Sequence, residues 1–178
     1  MKIKASERLN YSLMSEDDAE ILWQLDQDKE VMRYINGGVI TTREHQKEVL
    51  LPRMAAYRNE QKGWGIWKVS ITQTDEYIGW VLVRPMHFFT EQPEFDNLEI
   101  GWRFKRESWG KGYATEAGNS LKQAIISQGT SNKISAFAIE GNIASVGIMK
   151  KLGLLYVKTD VYKDPLIDNE VVYYELEI

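Results

Sequence analysis

Cysteine is absent from the chain, and histidine is almost absent. The 178 residues include no Cys and only two His, His45 and His87, which lie far apart in the sequence. Without a thiolate the chain has no disulfide, no cysteine acyl-enzyme and no Cys-ligated metal. Neither the paired-histidine motif of zinc proteases nor the Gly-x-Ser-x-Gly elbow of serine hydrolases is present. The sequence therefore predicts no metal site.

Long apolar runs and a surplus of positive charge are also missing. No stretch approaches the roughly 18 apolar residues of a membrane helix, and the start, Met1–Glu7, has no apolar core of a signal peptide. The 22 Lys and Arg against 26 Asp and Glu give a net charge of −4, whereas nucleic-acid binders usually have a basic surplus. We expect a cytoplasmic protein with no membrane or nucleic-acid partner.

What the sequence does contain is typical of one globular domain over residues 1–178. Apolar residues make up 43% and charged residues 27%, and a chain of this length buries a sizeable core. Turn residues and apolar periodicity predict the order β-α-α-β-β-β-α-β-α-β-β. This order favours an α/β (α+β) fold with a mixed, mostly antiparallel central sheet flanked by helices. The predicted strands are 7–14, 64–72, 77–85, 98–104, 133–139, 155–162 and 171–176. The predicted helices begin near Ser15, Thr41 or Thr42, Gly112 and Ile143. The second of these helices is expected to run to about Lys62, and residues 87–96 are expected to form a loop.

A glycine-containing loop, Trp109-Gly110-Lys111-Gly112-Tyr113-Ala114, lies between a predicted strand and an amphipathic helix. Glycines leave backbone N–H groups unshielded, and the start of the helix adds the positive end of its dipole. Together they form a site for a phosphate or pyrophosphate. A tight turn is the alternative. The Walker pattern fails because Lys stands at position 105, where it requires its first Gly. The dinucleotide-binding pattern fails because Thr115 stands where it requires its third Gly.

A second stretch runs from Glu140 through Asn142 and Ser145 to Lys150-Lys151-Leu152-Gly153-Leu154. Asn142 is typical of a helix N-cap, and Gly153 is typical of a helix end. By itself this is an ordinary capped helix.

The two stretches together, with Leu98-Glu99-Ile100-Gly101-Trp102 before them, resemble the GNAT superfamily of acyl-CoA-dependent N-acyltransferases. The resemblance spans nearly the whole chain and is strongest to the RimJ/RimL-like branch, which acetylates protein N-termini or small amines. It implies a GNAT-like domain that uses acetyl-CoA as co-substrate and needs no metal.

The resemblance also assigns a coenzyme site. The family's pyrophosphate loop reads Gln/Arg-x-x-Gly-x-Gly/Ala, and its positions fall here on Trp109, Gly112 and Ala114, so that Trp109 departs from the pattern. The pantetheine arm is expected to pair with the strand near Trp102–Phe104, and Asn142 and Ser145 are expected to face the pantetheine and the thiol. The implied coenzyme-binding residues are Trp102, Phe104, Trp109, Gly110, Lys111, Gly112, Tyr113, Ala114, Asn142 and Ser145.

A mechanism follows from the available groups. An amine that attacks a thioester directly must be neutral, so a base must take its proton. Glu99 is the candidate base through water, although it is equally well interpreted as a structural carboxylate. A backbone N–H near Gly101 is the candidate oxyanion donor. Many family members have a Tyr seven residues after the motif Asn, but Met149 stands there, so Ser145 is the candidate donor to the thiolate. Tyr156, Tyr162, Tyr173 and Tyr174 remain alternatives.

Two functions stay open at this point. The first is an acetyl-CoA-dependent N-acetyltransferase, and the second is a GNAT-like module that binds acyl-CoA without transferring the acyl group. The acceptor is a protein N-terminus or a small amine, and ribosomal-protein N-termini, polyamines, aminoglycosides and amino acids are all compatible. A homodimer is possible.

Overall fold

Seven strands form one continuous sheet in the computed structural model, which describes residues 1–178. The spatial order is β1-β2-β3-β4-β5-β7-β6. All neighbours are antiparallel except β4 and β5, which are parallel. The predicted mixed, mostly antiparallel sheet is thus confirmed. The strands are β1 (Leu9–Leu13), β2 (Gly65–Ile71), β3 (Tyr77–Met86), β4 (Glu94–Phe104), β5 (Lys133–Ala138), β6 (Leu155–Lys163) and β7 (Asp168–Glu177).

One face of the sheet is covered by the helices α5 (Tyr113–Gln128) and α6 (Ile143–Lys151). The apolar spacing of α5 places Ala117, Leu121 and Ile125 in the main core, each at most 1% exposed. Truncation of such a fully buried leucine costs about 2–5 kcal/mol. Gly118 lets the end of α6 come close, because a Cβ there would lie 2.9 Å from Leu152 Cδ1.

The other face is covered by short helices. They are α1 (Ala19–Leu25), which follows a 3₁₀ turn at Glu16–Asp18, α2 (Lys29–Asn36), α3 (Arg43–His45), a π-helical segment (Gln46–Leu50) and α4 (Leu51–Tyr57). Ser15 and Asp18 form a capping box at the first turn, and the Thr42 hydroxyl accepts from the His45 N–H, so both predicted starts are confirmed. The sequence analysis missed α2, which is capped by Asp28 and ends at Gly37.

Some predicted boundaries were wrong. The helix after Thr42 was expected to reach about residue 62 but ends at Tyr57, because the extended Arg58 leads into backbone hydrogen bonds between Asn59 and Trp64. The loop expected at 87–96 is shorter, because Glu94 already pairs with Met86 of β3 after a bulge.

Alternation along β3 and β4 sorts side chains to the two faces. Val81, Val83, Leu98 and Ile100 belong to the core under α5 and α6. The residues between them, Leu82, Arg84 and Glu99, point toward the helices α1–α4, as does Arg103 farther along β4. Polar groups therefore collect on the α1–α4 face, near the centre of the sheet.

Candidate active site

The parallel strands β4 and β5 pair over only a short distance. Asn97–Glu99 of β4 pair with Lys133–Ser135 of β5, and the pairing stops there, although β4 continues to Phe104 and β5 to Ala138. Along Ile100–Phe104 the edge of β4 that faces β5 has no strand partner. Such an edge offers N–H and C=O groups to an extended polar chain.

The glycine loop lies just beyond the end of β4 and opens into α5. Gly110 and Gly112 have φ values of +74° and +80°, a conformation that residues with a Cβ rarely adopt. None of the backbone N–H groups from Gly110 to Thr115 donates to a backbone carbonyl. These six consecutive amides without a backbone acceptor lie at the positive end of a 16-residue helix, a position that favours an anion.

Arg8 fastens this loop, and the sequence analysis missed it. Its Nη1 donates to the Lys111 carbonyl at 3.0 Å, and its Nε and backbone N–H both donate to the Glu116 carboxylate. Burial alone would raise the pKa of Glu116, but hydrogen bonds from Ser6 and Arg8 lower it below its usual value. No local signal in the sequence identifies this pair, because 108 positions separate the two residues.

The remaining residues predicted around the loop have different environments. The Trp109 ring is exposed, and its Nε1 donates to the Phe104 carbonyl at 2.9 Å. Phe104 is buried in the core, so its side chain is not available to a ligand. Tyr113 and Ala114 are partly buried against that core, whereas Lys111 is exposed.

Trp102, Asn142 and Ser145 meet across the gap between β4 and α6. Trp102 Nε1 donates to Ser145 Oγ at 3.3 Å, and the Ser145 N–H donates to Asn142 Oδ1 at 3.2 Å. Asn142 is thus the N-cap that its position predicts. An indole N–H can only donate, so Ser145 accepts in this contact and its own hydroxyl proton is not used there.

Glu99 lies on the opposite face of the sheet from Trp102 and Ser145, since it is three residues from Trp102 along β4. It is buried and held by Arg84, which is directly opposite on β3. Arg84 Nε donates to Oε2 at 2.7 Å and Nη2 donates to Oε1 at 3.2 Å. Burial alone would lower the pKa of Arg84, but the Glu99 carboxylate raises it above its usual value, so the guanidinium stays charged.

A cavity of about 580 Å³ lies beside this ion pair, between the sheet and the helices α1–α4. Arg84 lines the cavity and also bonds Glu99, which belongs to the last residue pair between β4 and β5. One side chain, that of Arg84, thus connects the cavity to the point where the two strands part, on the face opposite to Ser145. Most of its lining is apolar, and the polar lining includes Asp26, Arg53 and Arg103.

Met149, which stands where many family members have Tyr, and the alternative proton donor Tyr162 are both buried. Met149 is buried in the core under α5 and α6. Tyr162 is buried on the α1–α4 side with Met86 and Tyr173, and its hydroxyl has no hydrogen-bond partner. Burial raises the pKa of Tyr162 above its usual value.

The structure contains neither a metal-binding cluster nor a membrane-spanning helix. No group of three or more His, Cys, Asp or Glu side chains is placed to hold a metal ion. No helix has the length and apolar character needed to cross a membrane.

Comparisons with known proteins assign the family. Residues 8–155 match the family model of the acetyltransferase (GNAT) domain. The uncharacterized protein YkkB of Bacillus subtilis is 30% identical, over 80% of this chain and 78% of its own length. The uncharacterized N-acetyltransferase p20 of Bacillus licheniformis is 28% identical, over 96% of this chain and 98% of its own.

A solved structure shows the same fold. The ribosomal L7/L12 alpha-N-protein acetyltransferase RimL, in complex with coenzyme A, superposes with a TM-score of 0.75 at 14% identity, over 99% of this chain and 97% of RimL. The chain belongs to the GNAT acetyltransferase domain family. It is an N-acetyltransferase.

Proposed function

We propose that the protein transfers the acetyl group of acetyl-CoA to a primary amine by direct attack in a ternary complex, as a member of the RimJ/RimL-like branch. The main supporting observation is the row of six amides without a backbone acceptor from Gly110 to Thr115, beside the unpaired edge of β4. The amides suit a pyrophosphate, and the edge suits the amide-containing pantetheine arm. RimL was solved with coenzyme A bound, which agrees with this coenzyme.

In the proposed reaction the two faces of the sheet have separate tasks. The amine approaches from the cavity, and its nitrogen forms a bond with the thioester carbonyl carbon. A backbone N–H near Gly101 donates to the developing oxyanion. The amine loses its proton through water to Glu99, where Arg84 occupies two of about four lone-pair sites of the carboxylate. The carbon–sulfur bond then breaks, and the Ser145 hydroxyl donates to the departing thiolate.

The sequence also leaves open binding of acyl-CoA without transfer, which the assignment to the N-acetyltransferases makes the less favoured function. Its support comes from the Arg84 ion pair, which engages both oxygens of Glu99, and from Met149 at the position where many family members have Tyr. Release of free CoA over a panel of peptides and small amines separates the two functions. Coenzyme binding with no release for any amine would support the alternative.

The coenzyme site at the glycine loop is tested by Gly112→Val. A β-branched side chain blocks close approach to the loop backbone, so we expect CoA binding to be lost in calorimetry. Gly129→Val is the matched control, because Gly129 also has a positive φ and lies at the other end of the same helix. Both variants have the same type of backbone strain, so only Gly112→Val should lose CoA binding. Unchanged CoA affinity in Gly112→Val would contradict the assignment, and so would an equal loss of affinity in both variants.

A further inference from the structure

The mouth of the cavity is apolar although it faces solvent. Ile35, Val39, Ile40 and Leu166 all line the cavity and are 40%, 63%, 43% and 44% exposed. Large apolar side chains that are exposed together at the opening of a pocket mark a binding surface more often than isolated ones do. The part of an acceptor that lies at this opening therefore contacts aliphatic side chains.

Charged groups deeper in the cavity are already paired with one another. Asp26 is the only carboxylate among the lining residues. The three lining arginines each have a carboxylate partner, which is Asp164 for Arg53, Glu99 for Arg84 and Asp26 for Arg103. Both Asp26 oxygens are already engaged, since Oδ1 accepts from Arg103 Nη1 and Oδ2 accepts from the Thr41 hydroxyl. The Nε of Arg103 is buried without a partner. No free carboxylate remains in the lining to receive an ammonium group.

This environment penalises a positive charge on the ligand. A second ammonium group would leave water for largely apolar walls, where each lining arginine already pairs with a carboxylate and no unpaired carboxylate is left for the ligand. The same surroundings favour the neutral form of the reacting amine, which is the form that attacks a thioester. A polycation such as a polyamine or an aminoglycoside is therefore poorly suited to the cavity.

We propose that the acceptor is a primary amine without a second positive charge, carried on an apolar body that lies among Ile35, Val39, Ile40 and Leu166. This inference rests on the proposed function, because it takes the cavity as the place from which the amine attacks. The chemistry is shared by small alkyl or aryl amines and by protein N-termini that begin with apolar residues.

The test compares heptylamine with 1,6-diaminohexane, which differ by a terminal methyl group against an ammonium group. Turnover is measured as CoA release, and binding of each amine to the CoA-saturated protein is measured by calorimetry. We expect heptylamine to be favoured by a factor on the order of 10 or more in both measurements. A neutral tetrapeptide amide beginning with leucine forms a third arm. Its rate relative to heptylamine shows which source of the amine is preferred, and the inference requires that heptylamine exceed the diamine.

A variant at the rim tests the assigned surface. Val39→Asp adds a carboxylate at the opening and should shift the heptylamine-to-diamine ratio toward the diamine by several-fold. Val161→Asp is the matched control, since Val161 is 54% exposed on β6 and does not line the cavity. An unchanged ratio in Val39→Asp would contradict the assigned surface.

The outcomes separate this inference from the proposed function. If none of the three acceptors is acetylated but heptylamine still binds the CoA-saturated protein more tightly than the diamine, the proposed function fails and the cavity's preference stands. If the diamine binds or reacts as well as heptylamine, the inference is overturned, whereas acetylation of either amine still supports the proposed function.

Discussion

Glu99 is a buried carboxylate with both oxygens bonded to one arginine. If it receives the amine proton through water, Glu99→Gln should lower turnover by roughly 10²-fold or more near neutral pH, with nearly unchanged CoA affinity. The loss should shrink at high pH, where the amine is already neutral. The measurement is kcat across pH, with CoA affinity from calorimetry.

Stability must be measured in the same variant, because Glu99→Gln leaves the Arg84 charge without its counterion. Removing one partner of a buried ion pair costs about 3–5 kcal/mol, and the amide oxygen that remains offsets part of this. Urea unfolding identifies a temperature at which the variant is fully folded, and turnover is compared there. A wild-type rate near neutral pH would make Glu99 a structural partner of Arg84 only.

At the level of elements, the contact between the chain before β1 and the first turn of α5 depends on the Glu116 carboxylate. The folded pKa of Glu116 is lowered from 4.5, so its contribution to stability is present above pH 4.5 and is lost as the pH falls through the folded value. Glu116→Gln should lower Tm at neutral pH by roughly 2–4 °C, the shift that about 1 kcal/mol gives in a domain of this size. The difference from wild type should shrink below pH 4.5.

Glu20→Gln is the control for that experiment. Glu20 pairs with Arg43, but both side chains are more than half exposed, and such pairs contribute little. We expect almost no change in Tm. A change as large as that in Glu116→Gln would mean that loss of a charge, and not the contact with Arg8 and Ser6, lowers stability.

The elements also show what the sequence could predict. The glycine loop and the Asn142 cap are formed by residues that are neighbours in the sequence, so the sequence was sufficient to predict the turn and the helix start. The strands were predictable from their runs of β-favouring residues and the turns between them, although β3 is buried almost throughout and β6 is exposed almost throughout. The partners Arg84 and Glu99 come from different strands, and only the register of β3 and β4 brings them together. The cavity depends on how α1–α4 pack on the sheet, which no local pattern specifies.

For the molecule as a whole, buried tyrosines limit stability in alkali. Five of the nine tyrosines have a raised pKa with burial as the main cause, and Tyr57 and Tyr173 reach about 12. Because the folded pKa exceeds the unfolded value of about 10, the native state binds more protons between pH 10 and 12. The free energy of unfolding should therefore fall as the pH rises through this range, measured by urea unfolding at each pH.

Tyr57→Phe isolates the contribution of one tyrosine to the fall of the unfolding free energy with pH. The variant should lose less stability between pH 10 and 12 than wild type, because phenylalanine cannot ionise. Tyr156→Phe, at an exposed position on β6, should behave like wild type. Equal slopes in all three proteins would show that ionisation of Tyr57 is not coupled to unfolding.

The short contact between β4 and β5 also has a mechanical consequence. The sheet has two parts, the strands β1–β4 and the strands β5–β7. Within the sheet these parts are joined only along the residue pairs from Asn97–Lys133 to Glu99–Ser135. A twisting load on the sheet concentrates at this narrow joint, since every other strand boundary has a longer ladder of hydrogen bonds. We therefore expect the sheet to bend most easily at this joint, and a molecule hydrogen-bonded to both β4 and β5 to stiffen it.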